Sequence, residues 1–217
     1  MSIDLYPRRA ALVALAASTA LSATGCAPLL FTGAVAGTAM SVSDRRTLGI
    51  QVEDQAIELR LLTAFNDKFP SGSQARVSAT SYNRRVLLTG EVPNEQVRAE
   101  AQAIAERSLN VAAVLNELYV GPLSTFANRN FDRALAAKVL AALVSAEGVP
   151  SATMKVVTSR SVVYLMGLVT EREGEAAARV AARVSGVQKV VKHFEVLTEQ
   201  EAAARTVLPA GTAPAQK

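Results

Sequence analysis

The apolar positions of the chain fall into one unbroken run and two matching periodic blocks. The run, residues 10–23, carries no charge and follows Arg8 and Arg9. Further along, Ile57, Leu61, Ala64 and Phe65 recur at helical spacing, and Phe131, Leu135, Val139 and Leu143 do the same. Each stripe predicts a helix with one buried face. A strand is expected after each helix, at about 76–81 and 154–158. A second strand follows at 86–90 and 162–167, ending on Gly90 and Gly167, glycines 77 positions apart. The short polar connectors between these strands read as hairpin turns. A second helix opens at Pro93-Asn94-Glu95 in one block and at Thr170-Glu171-Arg172-Glu173 in the other, and last strands are expected at 114–120 and 190–197. The Thr170/Glu173 pair has capping-box spacing, and Gly186 is placed to take the left-handed conformation that stops the helix.

The same unit, α-β-β-α-β over about 70 residues, is thus written twice, and the predicted class is α+β with two helices on a three-stranded mixed sheet in each unit. The expected division is a removed signal at 1–25, a flexible tether at 26–50, a first domain at 51–120, a linker at 121–127, a second domain at 128–199, and a helix end with a disordered tail at 200–217. Each unit should form its own core, so the second should fold alone, though about 70 residues makes for marginal stability. The Gly- and Ser-containing tether, as a flexible coil, has a reach of roughly 25 Å.

Composition sharpens the reading at the N-terminus. The chain has one cysteine, Cys26, directly after the apolar run and Thr24-Gly25. A basic start, a short apolar stretch and small residues at the cut describe a secretory signal. The run up to Val42 is broken by Gly25, Pro28, Gly33 and Gly37, whereas a spanning helix needs roughly 20 continuous apolar residues. An unpaired thiol in an exported protein needs an explanation, and Ala23-Thr24-Gly25-Cys26 resembles a bacterial lipobox, in which the cysteine is acylated. The only groups expected on the protein are these acyl and diacylglyceryl groups, with no other cofactor.

Charge is uneven. Residues 51–120 hold seven basic and nine acidic side chains, and 121–217 hold twelve and eight. A basic half on an anchored, exported protein points to anionic lipid headgroups and away from nucleic acid. An enzyme lacks its parts: there is one histidine, His193, in an alternating strand with Glu195 on its face, and no metal or triad constellation can be built around it. Glu175 precedes Arg179 and Arg183 at helical spacing, which sets up an intrahelical ion pair on a solvated face. Arg129, Arg133 and Lys138 flank Phe131 and Leu135 as cations flank an interfacial apolar stripe. Phe131 also continues the core stripe, so it faces either the membrane or the interior. Arg84 and Arg85 make a basic hairpin tip in a domain of net negative charge.

Taken together, Asp44-Arg45-Arg46-Thr47-Leu48-Gly49, Gln51-Val52-Glu53-Asp54, Val86-Leu87-Leu88 with Gly90, Met166-Gly167-Leu168-Val169-Thr170-Glu171-Arg172-Glu173 and Arg183-Val184-Ser185-Gly186-Val187 resemble the dual-BON-domain outer-membrane lipoproteins of Gram-negative bacteria, the division- and outer-membrane-stress-associated lipid-binding proteins. The resemblance implies two tandem BON domains. It also implies a non-enzymatic protein anchored by Cys26 at the periplasmic face of the outer membrane. Its second domain is expected to bind anionic phospholipid such as phosphatidylglycerol, through Arg129, Phe131, Arg133, Leu135 and Lys138, in support of envelope integrity and cell division. The alternative is an adaptor or regulator of the outer-membrane protein assembly machinery, acting by protein contact. The family often carries a glycine in each hairpin turn, where this chain has Asn83-Arg84 and Arg160-Ser161.

Overall fold

The structure, a computed structural model, describes residues 44–70 and 72–207. The signal, Cys26, the tether up to residue 43 and the tail from 208 lie outside the described residues. The first half runs α1 (Leu48–Lys68), β1 (Arg76–Tyr82), β2 (Arg85–Val92), α2 (Glu95–Glu106), β3 (Ala113–Asn116) and β4 (Tyr119–Val120). The second runs α3 (Phe126–Ser145), β5 (Met154–Ser159), β6 (Val162–Thr170), α4 (Glu171–Ala182) and β7 (Lys189–Leu197), with α5 (Glu199–Val207) after it. Thr47, Asn94, Thr125 and Thr170 each accept a hydrogen bond at a helix start, and Thr170 with Glu173 closes the capping box that their spacing predicts. Each hairpin is antiparallel, and the chain returns through the second helix to lie parallel beside the middle strand, β2 or β6. The class is α+β, with helices packed on a three-stranded mixed sheet in each half.

Four sequence expectations change. The last strand of the first half is interrupted at Glu117 and Leu118, opposite Gly90, which takes a φ of 122°. The tether expected to reach residue 50 is in fact part of the fold from Asp44 onward: Arg45 is buried and α1 begins at Leu48. Thr206, expected in the tail, is helical within α5. The buried stripe of α3 is Asp132, Leu135, Val139 and Leu143, so Phe131 stands outside it, 48% exposed.

A third core lies between the two that the pattern predicts. Along β2, Val86, Leu88 and Val92 face their own helices, and along β6, Val163, Leu165 and Val169 do the same. The alternate residues Leu87, Tyr164, Met166 and Leu168 join Tyr82 in a cluster shared by the two sheets. Polar bonds cross the same boundary. The Tyr82 hydroxyl donates to the Thr153 carbonyl at 2.6 Å, and Lys155 reaches Glu58 at 2.7 Å. Burial pushes the Tyr82 hydroxyl far above its ordinary value, and the Tyr164 hydroxyl up to about 12, so both stay neutral. Arg45 makes a bidentate pair with Glu173 at 2.6 and 2.9 Å and also donates to the Leu168 carbonyl. Glu173 therefore serves both its own capping box and the segment leading into the first domain. Burial alone would raise the Glu173 pKa. The Arg45 hydrogen bond and the Thr170 amide hold it below the usual carboxylate range.

Both hairpin turns use left-handed residues that are not glycine: Asn83 and Arg84 at φ of 52° and 61°, Arg160 and Ser161 at 53° and 61°. Each turn is held by a buried aspartate on the first helix of its domain. Asp54 accepts from the amides of Asn83 and Arg84 at 2.8 and 2.7 Å, and Asp132 accepts from those of Arg160 and Ser161 at 2.8 Å each. The carboxylate satisfies two amides that face inward and offsets the cost of a left-handed backbone, about 1 kcal/mol or more per residue. The glycines at 90 and 167 answer a different demand. A Cβ at Gly90 would stand 2.0 Å from the Arg76 carbonyl oxygen, and one at Gly167 would stand 2.7 Å from that of Thr153.

Asp132→Ala leaves two amides unpaired and should lower stability by about 2–4 kcal/mol in urea unfolding, while Ser161→Gly should raise it by up to about 1 kcal/mol. The stability that Glu173 carries is complete above its unfolded pKa, about 4.3, and is lost as pH falls through its lower folded value; the stability gap between the natural chain and Glu173→Gln should hold steady above pH ~5 and close on acidification. A fragment of residues 128–199 exposes Tyr164, Met166 and Leu168 to water, and calorimetry should place its melting below that of the full chain.

Candidate functional site

Helix α3 carries the sequence-predicted site. Thr125 caps it by accepting from the Asn128 amide at 3.2 Å, and the stripe Leu135, Val139 and Leu143 seats it on the second sheet. Its outer face is unusually apolar. Phe126, Leu140 and Val144 are 67%, 45% and 64% exposed, and with Arg133 and Ala137 they recur seven, four and three residues apart along one side.

The predicted residues do not form one patch. Arg129 and Arg133 lie one turn apart beside the exposed apolar stripe. Phe131 and Lys138, two turns apart, share the opposite flank. Phe131 rests against the loop after α4: a Cβ at Gly186 would meet its ring at 3.0 Å, and Gly186 takes a φ of 103° in a turn three residues past Arg183, the residue that caps the helix in place of the expected stop at Gly186. Leu135 is 1% exposed and belongs to the core, so it cannot meet a headgroup while α3 is seated. This corrects its expected role as a contact residue. Arg129 donates to the Ser124 carbonyl at 2.6 Å and lies over the Phe126 ring at 5.6 Å, and Arg133 donates to the Asn130 side chain at 3.2 Å. Among the described residues, the ion pairs leave Arg129, Arg133 and Lys138 out.

Other charges are committed. Glu175 pairs with Lys192 on β7 rather than with Arg179 or Arg183 along its own helix, and the Lys192 hydrogen bond lowers its pKa. A strand neighbour fixed by the sheet competes better for a carboxylate than a long side chain on a solvated face. His193 stands 3.1 Å from Glu117 of the first domain; burial lowers its pKa, and the Glu117 carboxylate opposes that shift. Arg85 reaches the Phe194 carbonyl at 3.5 Å and so belongs to the domain boundary, while Arg84 is exposed and gives its amide to Asp54 of its own domain. Among the described residues no group of His, Cys, Asp and Glu could hold a metal, and no helix is long and apolar enough to cross a membrane.

Sequence reasoning missed Phe126, Leu140 and Val144, and it missed the turn-holding pair Asp54 and Asp132. The first three are visible only once the core face of α3 is known, since the helix is apolar on two sides. The aspartates did leave a signal: each sits three residues before the first buried aliphatic of its stripe, Ile57 or Leu135, where a buried face has no other use for a charge.

Residues 53–122 and 131–198 each match the family described as BON domain. The outer membrane lipoprotein DolP of Haemophilus influenzae is 38% identical over 174 residues, which span 80% of this chain and 89% of that protein. A 21 kDa hemolysin of Actinobacillus pleuropneumoniae is 29% identical over 149 residues, 69% of this chain and 77% of its own length. The chain belongs to the BON-domain family, carries the domain twice, and is a homologue of an outer membrane lipoprotein.

Proposed function

We propose that this protein is a non-enzymatic lipoprotein, anchored through acyl groups on Cys26 at the periplasmic face of the outer membrane. There its second domain binds anionic phospholipid such as phosphatidylglycerol and supports envelope integrity and cell division. The observation that carries the reading is the outer face of α3, where exposed Phe126, Leu140 and Val144 lie beside Arg129 and Arg133, cations without a carboxylate partner. Apolar side chains enter the headgroup boundary while cations hold anionic phosphates at its surface. Each basic residue near such a surface contributes about 1 kcal/mol, so two or three make a weak, salt-sensitive contact that needs the acyl anchor to persist. Homology to an outer membrane lipoprotein supports the location. A second reading, an adaptor acting by protein contact on the outer-membrane assembly machinery, draws on α1. There Leu48, Val52, Leu59 and Leu62 form an exposed apolar stripe, and Leu59 and Leu62 border a groove against the edge strand β1.

Cys26→Ser should release the processed protein from the membrane fraction, because the surface contact alone is too weak to hold it. Changing Arg129, Arg133 and Lys138 to Glu should weaken binding to phosphatidylglycerol vesicles by about 30-fold or more and flatten its salt dependence. Most of that loss should come from the two arginines, and changing Arg84 and Arg85 to Glu should have little effect on vesicle affinity. Sedimentation with vesicles at two salt concentrations reads both results. Unchanged vesicle binding by the folded triple variant would move the adaptor reading ahead.

A further inference from the structure

A groove of about 380 Å³ runs between the first sheet and the free edge of β5. One wall is the sheet face turned away from the first domain's helices: Arg76, Ser78 and Thr80 alternate along β1, with Thr89 and Glu91 beside them on β2. The other wall is α3, through Arg129, Asp132 and Arg133, together with β5 from Lys155 to Ser159. Both domains are therefore needed to make it.

Its charges are not equally free. Asp132 has each carboxylate oxygen on a turn amide at 2.8 Å. Glu91, 3% exposed, accepts from the Ser124 hydroxyl and stands 3.8 Å from Arg76. Lys155 is drawn to Glu58. Arg129 and Arg133 have only neutral partners, a carbonyl and an amide oxygen. Two guanidinium groups without carboxylates, a third on a long contact and a rim of Ser and Thr hydroxyls are the donors that a tetrahedral oxyanion requires.

We infer that this interdomain groove binds a phosphate-type oxyanion, held by Arg76, Arg129 and Arg133. The inference deepens the lipid-binding reading, on which it rests for the source of the phosphate: a headgroup reaching past the α3 surface into the groove. It adds a first-domain residue, Arg76, that contact at the outer face of α3 alone would not use.

The test uses the full-length protein with free glycerol phosphate, inorganic phosphate, and vesicles of phosphatidylglycerol or phosphatidylcholine as probes. Titration calorimetry should detect glycerol phosphate, with affinity at least fivefold weaker in Arg76→Gln and in Arg129→Gln, each verified as folded by its melting curve. Arg133→Gln replaces any of these that fails to fold. Phosphatidylglycerol vesicle binding should weaken in the same variants and also in the pair Leu140→Ser and Val144→Ser. No binding of either free anion, or equal binding by the natural chain and the groove variants, overturns the groove. Vesicle binding that falls in the Leu140/Val144 pair but holds in Arg76→Gln also overturns it and leaves the surface reading standing. Free-anion binding lost in the groove variants, with no preference for phosphatidylglycerol over phosphatidylcholine, supports the groove as a site for soluble phosphate and removes the lipid reading.

Discussion

Strand β6 is apolar on both faces and β2 adds Leu87 on its second face, and the rest of the molecule is arranged around that constraint. A strand in the middle of a three-stranded sheet with helices on one side would ordinarily show polar residues on the other. Here Leu87, Tyr164, Met166 and Leu168 occupy that second side, and each aliphatic among them would lose on the order of 1.5–3 kcal/mol if left in water. Packing the two sheets together removes the exposure, and it brings Lys155 to Glu58, His193 to Glu117 and Arg45 to Glu173. The polar pairs ring the apolar contact. They set its orientation, while burial supplies its strength.

The aspartates at 54 and 132 solve a local problem that this arrangement makes severe. A hairpin tip with two left-handed, non-glycine residues is strained, and its inward amides would be orphaned. In other chains a glycine relieves the strain. Here a carboxylate on the neighbouring helix binds the amides instead, which ties each hairpin to the helix that covers it. The second of these aspartates takes the place in the buried stripe of α3 that the spacing offers to Phe131, and so turns the aromatic out toward the loop at Gly186.

The proposed function draws on what is left after these demands are met. Once its core face is seated, α3 keeps a second apolar side with two arginines that no carboxylate claims. The same arginines border the groove formed by the first sheet. A headgroup site that needs both domains would make lipid contact sensitive to how the domains are held, which gives the interdomain pairs a bearing on function as well as on stability.

Element order, the repeat, the capping box at Thr170 and the class of fold were all legible in the chain, because each depends on neighbours within a few residues or on a periodicity of apolar positions. The family resemblance was legible for the same reason, since its motifs are local. Contacts between distant residues decided the remainder. Periodicity marks a position as apolar but does not say which of two apolar helix faces meets the core, so Phe126, Leu140 and Val144 could not be told from buried residues, and Leu135 could not be told from exposed ones. Nor does a charged residue announce its partner: Glu175 chose Lys192, and Arg45, read as part of a tether, closed on Glu173 across more than half the chain. Such pairings are settled by where packing holds two backbones, and only the tertiary structure contains that information.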